Sequence, residues 1–225
     1  MGLGAAAPPT GNLAFWTNEL ARARGLLAEP GKPRAWRAAE VCQHLITKRV
    51  KELVGEPSAP DALAQALTLW AVASLRQGQT EEARWRLAEA ASFSYGQTRQ
   101  TLQGFADALE SLGAWLAGLE REQVVDRYTS LPSSYAAPRP VQLQPLPATP
   151  SSLDPEELSP ARVLLLVSEL GPPEAPVLLQ PSGDVSFDLA LMESLRSWVF
   201  SPASQDGRPT KGFYLITATV RSASP

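Results

Sequence analysis

Residues 129–160, TSLPSSYAAPRPVQLQPLPATPSSLDPEELSP, divide this chain more sharply than any other stretch. Proline lacks a backbone N–H and pushes the residue before it away from helical geometry. A segment this rich in Pro and Ser is excluded from helix and central strand, and it reads as an extended, semi-rigid linker. Val141, Leu143 and Leu146 give it a second option, an apolar strap laid against a neighbouring domain. Its PxxP spacing is also the form taken by ligands of aromatic grooves. Helical periodicity precedes it and short apolar runs of strand length follow it. The expected fold class is α+β. An N-terminal all-α, degenerate repeat-like helical domain spans 12–128, the Pro-rich linker 129–160 and a small ββαβ domain 161–222, with residues 1–11 disordered.

Among 225 residues there is one cysteine, Cys42, and one histidine, His44. No intrachain disulfide can form, and a multi-histidine metal site is excluded. Two residues apart, the pair points about 200° apart on a helix, so it cannot share a ligand or act as a nucleophile–base couple. Cys42 lies in the apolar pattern AAEVCQHLI and reads as a buried thiol. Carboxylates cluster at Glu81-Glu82, at Glu156-Glu157 and at Asp184 with Asp188. The first two pairs read as helix-start charges. No Gly-rich phosphate loop, nucleophile elbow or metal-ligand spacing occurs. The expectation is a non-enzyme with no catalytic residue, no metal and no cofactor.

A net charge of -3 argues against nucleic acid as a partner and offers no attraction to anionic lipid. No apolar run approaches the roughly 18 residues of a transmembrane helix. The opening MGLGAAAPPTG lacks the basic and long apolar regions of a signal peptide. Two locations fit: the periplasm, if a signal peptide was removed and a new start Met added, or the cytoplasm.

The first helix starts near Asn12, with Leu13, Trp16, Leu20 and Ala23 or Leu27 inward, and ends at Glu29-Pro30-Gly31-Lys32-Pro33. A second runs from about Arg34 to Val54 with Trp36, Val41, Leu45, Val50 and Val54 inward. Residues 61–95 form a helical hairpin. Gly78 supplies a left-handed C-cap, Thr80 caps the second helix, and Ala71, Ala83 and Ala90 permit close approach. A last helix covers about Thr98–Arg127, with a break near Gly118. Leu69, Ala73, Leu75, Gly78, Glu82-Ala83, Leu87 and Ala90 fall where a tetratricopeptide repeat places its packing residues. The hairpin resembles one such repeat, without a 34-residue period elsewhere. Trp16, Trp36, Trp70, Trp85 and Trp115 read as core anchors, with a peptide-binding helical groove around Trp70, Arg84 and Arg86 as the functional alternative.

In the C-terminal part, Arg162–Leu170 and Ala175–Gln180 read as strands around a Gly171-Pro172-Pro173 turn. A helix follows, with Asp188 as N-cap or first-turn acid and Met192, Leu195 and Val199 on one face, ending at Ser201-Pro202. Asp206-Gly207 makes a turn. In the last strand Tyr214, Ile216, Ala218 and Val220 face the core, and Phe213, Leu215, Thr217 and Thr219 face outward.

Asp188, Met192, Leu195, Trp198 with Phe200, Pro202-Ala203, Asp206-Gly207-Arg208-Pro209 and Phe213–Val220 coincide in type and spacing with one family pattern. Over about residues 156–222 the chain resembles the C-terminal domain of TonB-family proteins. It departs at the first turn, where Gly171-Pro172-Pro173 replaces Asp-Gly, and it lacks the family's N-terminal membrane helix. The resemblance implies a small sheet whose last strand accepts an extended peptide as a further strand. The corresponding edge is Gly212–Arg221, with Phe213, Leu215, Thr217 and Thr219 as its binding positions. The expected function is a bacterial cell-envelope scaffold that binds a protein or extended peptide. The alternative is a cytoplasmic adaptor whose helices hold the partner and whose sheet is structural or forms a homodimer.

Overall fold

The structure, a computed structural model, describes residues 11–145 and 158–219. The architecture is α+β, helices first and strands after. Of the stretch 1–11 expected to be disordered, residues 1–10 lie outside the described residues, as do the strap position Leu146 and the strand residue Val220, while Gly11 already begins the first helix, which corrects the expectation there.

Helix α1 spans Gly11–Leu27 and buries Trp16, Leu20, Ala23 and Leu27, the stripe its spacing predicts. Helix α2 is shorter than its pattern suggests, Lys32–His44. A π-helical turn over Leu45–Arg49 and a 3₁₀ turn over Val50–Leu53 finish the segment. Its inward face is made of small residues, Ala35, Ala38 and Cys42. Trp36 therefore lies outside, 57% exposed, which corrects its assignment to the core. Helices α3 (Ala59–Arg76) and α4 (Thr80–Leu102) form the expected hairpin. Ala71, Ala83 and Ala90 are fully buried, and small side chains let the two axes close up. Gly78 adopts φ +84, with Gly78 N–H donating to the Leu75 carbonyl at 2.9 Å and Gln79 N–H to the Ser74 carbonyl at 2.9 Å. That is the Schellman ending, which satisfies carbonyls a helix end would orphan. Thr80 does not cap α4: Gln79 holds the cap position with no side-chain bond.

Helix α4 passes through a kink at Ser94, where φ and ψ leave helical values. The helix expected over 98–127 with a break near Gly118 has that break and a further one, giving three pieces: the end of α4, α5 (Ala106–Ala117) and α6 (Arg121–Thr129). Gly104 and Gly118 lie in the two breaks.

The stretch read as a linker contains two strands, β1 (Tyr135–Ala136) and β2 (Arg139–Gln142). Proline tolerates this because β2 pairs on one side only, so a missing N–H costs no ladder bond. Strand β2 runs antiparallel to β5 (Val199–Ser201), with Pro140 opposite Phe200. Strand β1 pairs with β6 (Ala203–Gln205), which forms a hairpin with β7 (Arg208–Thr210). Asp206 (φ 52) and Gly207 (φ 75) both have the left-handed backbone that a two-residue hairpin turn needs. Val199 therefore belongs to a strand, not to the helical face assigned to it.

The main sheet has the order β4-β3-β8, all antiparallel, from β3 (Ala161–Val167), β4 (Pro173–Gln180) and β8 (Gly212–Ala218). Helix α7 (Val185–Leu195) covers one face, where Val163, Leu165, Leu191, Met192, Leu195 and Ile216 share a core. The opposite face lies under α4, α6 and the α5–α6 turn, with Leu164, Val177 and Phe213 against Ala88, Leu119 and Val124. Leu164 and Leu165 are adjacent in β3 and both fully buried. A sheet covered on both faces reads as a continuous apolar run, and RVLLLV is that run. Trp85 of α4 belongs to the α7 core, and Leu189 of α7 belongs to the helical core. The helices and the sheet thus form one packed body.

Candidate functional site

The two outer strands of the main sheet end differently. Strand β4 is closed by α4. Ser92 Oγ accepts the Leu178 N–H at 3.2 Å and lies 3.1 Å from the Pro176 carbonyl, within donating distance. A bulge leaves Leu179 unpaired in register, and the Arg121 guanidinium donates to its carbonyl. Proline at 176 adds a position with no N–H to offer.

Strand β8 pairs without interruption with β3, from Gly212 opposite Val167 to Ala218 opposite Ala161. On its other side, the Phe213 N–H donates to Tyr135 Oη at 2.9 Å. Backbone groups of a strand alternate in direction, so Leu215 and Thr217 point the same way as Phe213. No described residue hydrogen-bonds their N–H or C=O on that side. Beyond Tyr135, the outward groups of this edge are unpaired among the described residues.

The four positions assigned to the edge share that backbone direction and differ in their side chains. Thr217 and Thr219 are exposed and Leu215 is half-buried. Phe213 is buried, edge-on to Tyr128 with centroids 6.1 Å apart, because α6 covers that face. Its expected outward side chain is thereby corrected. The closing role of Tyr135 was not legible in the sequence, since it depends on a short strand inside a Pro-rich stretch pairing with β6, about 70 residues away.

The helical positions Trp70, Arg84 and Arg86 do not form one site. Arg86 stacks 3.9 Å from the Trp70 ring centroid and is almost fully buried. Its guanidinium donates to Glu82 at 2.7 Å, to Glu89 at 2.9 Å and to Glu193 of α7. Arg86 is thus neither a solvated charge nor a free ligand group. Burial pushes the Glu89 carboxyl up, and Arg86 and the Trp85 indole N–H pull against that. Arg84 faces elsewhere, pairing with Glu81 and lying 5.5 Å from the Trp115 ring centroid.

Trp70 instead lines a groove of about 500 Å³ between α2, α3 and the start of α4. Trp36, Glu40, Gln43, Gln79 and Glu82 also line it. The signal for this groove in the sequence is the stripe Trp36, Glu40, Gln43, spaced by four and three on the outer face of α2.

Cys42, Asp184 and Asp188 are buried within the fold. Cys42 is fully buried, and burial pushes its thiol up to about 12, while His44 is exposed. Asp184, not Asp188, caps α7: its carboxylate accepts the N–H groups of Ser186 at 2.7 Å and Phe187 at 3.2 Å. Asp188 is buried one turn on and accepts the Ser182 N–H at 3.0 and 3.1 Å. Burial lifts its carboxyl to about 6 against the pull of the Ser182 N–H and hydroxyl, with Asp184 adding to the rise. The pair Glu156-Glu157 lies outside the described residues. Among the described residues no group of three or more His, Cys, Asp or Glu is placed to hold a metal ion, and no helix is long and apolar enough to cross a membrane. Compared with known proteins, the chain matches no family model, no curated protein and no solved structure.

Proposed function

We propose that this chain is a non-enzymatic interaction module that takes up an extended segment of a partner protein as an additional strand on β8. The observation that carries the reading is the asymmetry of the sheet: α4 closes β4, while Leu215 and Thr217 of β8 keep unpaired backbone groups among the described residues. An added strand gains main-chain hydrogen bonds there, and alternate side chains meet Tyr214 on one face and Leu215 on the other. The resemblance of residues 156–222 to TonB-family C-terminal domains supports the same edge and a cell-envelope setting. The helical part then acts as the scaffold that holds the sheet.

The test is capture from cell-envelope extract by the full chain, with amide exchange measured on the complex. Thr217→Pro removes one outward N–H without touching a buried side chain. The expected results are loss of capture in Thr217→Pro and slowed exchange at Leu215 and Thr217 in the wild-type complex. Unchanged capture by the variant, or unchanged exchange at both amides, overturns the proposal.

A second reading has the helices hold the partner, with a sheet that is structural or dimerising in a cytoplasmic adaptor. The groove beside Trp70 favours it. The two readings separate in the same experiment, because Thr217→Pro leaves the groove intact.

A further inference from the structure

The groove between α2, α3 and α4 has a specific chemical character. Two tryptophans and two carboxylates line it, and no cationic side chain does among the described residues. Trp36 is 57% exposed, an unusual state for the largest apolar side chain inside a concavity. Glu40 follows Trp36 by four residues on α2, so the carboxylate stands one helical turn from the indole. No described residue forms an ion pair or hydrogen bond with Glu40. Across the groove, burial pushes the Glu82 carboxyl up, but Arg86 and Arg196 beside it hold it below its ordinary value, so it stays ionised at neutral pH.

The same wall shows what such a surface accepts. The Arg86 guanidinium lies 3.9 Å from the centroid of Trp70 while donating to Glu82. Aromatic face plus carboxylate is the combination that holds a planar cation: the ring quadrupole attracts the charge and the carboxylate takes the N–H groups. Trp36 with Glu40 repeats that pairing of residue types on the opposite wall; Arg22, Arg37 and His44 share the adjoining surface with Glu40, but no described cation stacks on Trp36 or forms an ion pair with Glu40. Guanidinium suits it better than ammonium, because it stacks flat and sheds water at lower cost. From Trp36 to Gln43 the lining follows α2 for about 10 Å, more than one side chain occupies.

We infer that this groove is a second binding site, in which Trp36 and Glu40 receive an arginine side chain presented by a peptide segment of a partner protein. The site is independent of the β8 edge and does not rest on the strand-addition reading.

The experiment uses the full chain and a defined probe, an acetylated and amidated alanine heptapeptide with a central arginine. Its control is the citrulline analogue, which keeps the shape and loses the charge. Binding is read by calorimetry and by tryptophan emission. The expected result is saturable binding of the arginine peptide, weakened at least about ten-fold by citrulline. Trp36→Ala is expected to weaken it roughly three- to thirty-fold, the span of a cation–aromatic contact. Glu40→Gln weakens it several-fold and flattens its salt dependence. Trp36→Phe recovers part of the loss. Circular dichroism checks that each variant remains folded, and Thr217→Pro is expected to bind as wild type. The inference is overturned by equal binding of the two peptides, by wild-type affinity in both Trp36→Ala and Glu40→Gln, or by no saturation up to about 1 mM. Spermidine binding as tightly as the arginine peptide, with the same loss in Trp36→Ala, overturns the choice of a peptide arginine as occupant.

Discussion

Asp188 is buried at the foot of α7 with both carboxylate oxygens on the Ser182 N–H. Its carboxyl titrates near 6, above the 3.8 of the exposed group. Between those values the native protein keeps a proton that the unfolded chain has released, so stability falls as pH rises through this window. Unfolding in denaturant from pH 4 to 6.5 should show this loss, up to about 3 kcal/mol. Asp188→Asn should remove it, with the difference between the two proteins isolating this group from Glu82 and Glu89. A slope unchanged in the variant contradicts the assignment. Gly171 makes a second test. It sits at φ +102, and a methyl group there meets the Phe200 carbonyl oxygen. Gly171→Ala should lower stability by about 3 kcal/mol, from backbone strain and an unyielding neighbour, as seen in the denaturation midpoint. Asp188 was legible as an acid at the start of α7. Its burial was not, because the loop that covers it, Pro181 to Asp184, carries no periodic signal.

At the scale of elements, pattern succeeded where one face alone meets the core. The stripe of α1 and the Gly78 ending of α3 follow directly from spacing and from glycine's conformational range. Pattern failed at α2, where Ala35, Ala38 and Cys42 carry the packing and the bulky Trp36 does not. Size suggested a core anchor, whereas close approach of helices selects small side chains. It failed again in the Pro-rich stretch, since one-sided pairing of β2 is a property of its partner β5 and lies about 60 residues away in sequence. The β8 edge was half legible. Its alternation was visible, but the cover over Phe213 comes from α6, which no local pattern announces. Ser92→Ala belongs to this scale. It leaves the Leu178 N–H without its acceptor, so destabilisation of about 1–2 kcal/mol and faster exchange at Leu178 are expected. Normal exchange there argues that another group closes β4.

Across the whole molecule, Arg86 joins helices to sheet. It binds Glu82 and Glu89 in its own helix and Glu193 in α7, with Glu89 fully buried. Removing the cation leaves a buried carboxylate unpaired, so Arg86→Met should cost about 3–5 kcal/mol, and adding Glu89→Gln should restore part of it. Because Trp85 and Leu189 cross between the cores, the halves are expected to melt together, with coincident transitions for helical and aromatic signals. Residues 158–219 alone, stripped of Trp85 and Ala88, should not reach native stability. The closed β4 edge also bears on assembly. In polymer terms, a unit with two reactive ends makes a chain, and a unit with one makes at most a pair. Ser92 and α4 remove one end of this sheet, so growth through β8 stops after a single addition, whether the incoming strand belongs to a partner or to a second copy. Two copies joined through β8 would make one six-stranded sheet with an α4 helix at each margin, a dimer that leaves the main sheet no open edge among the described residues.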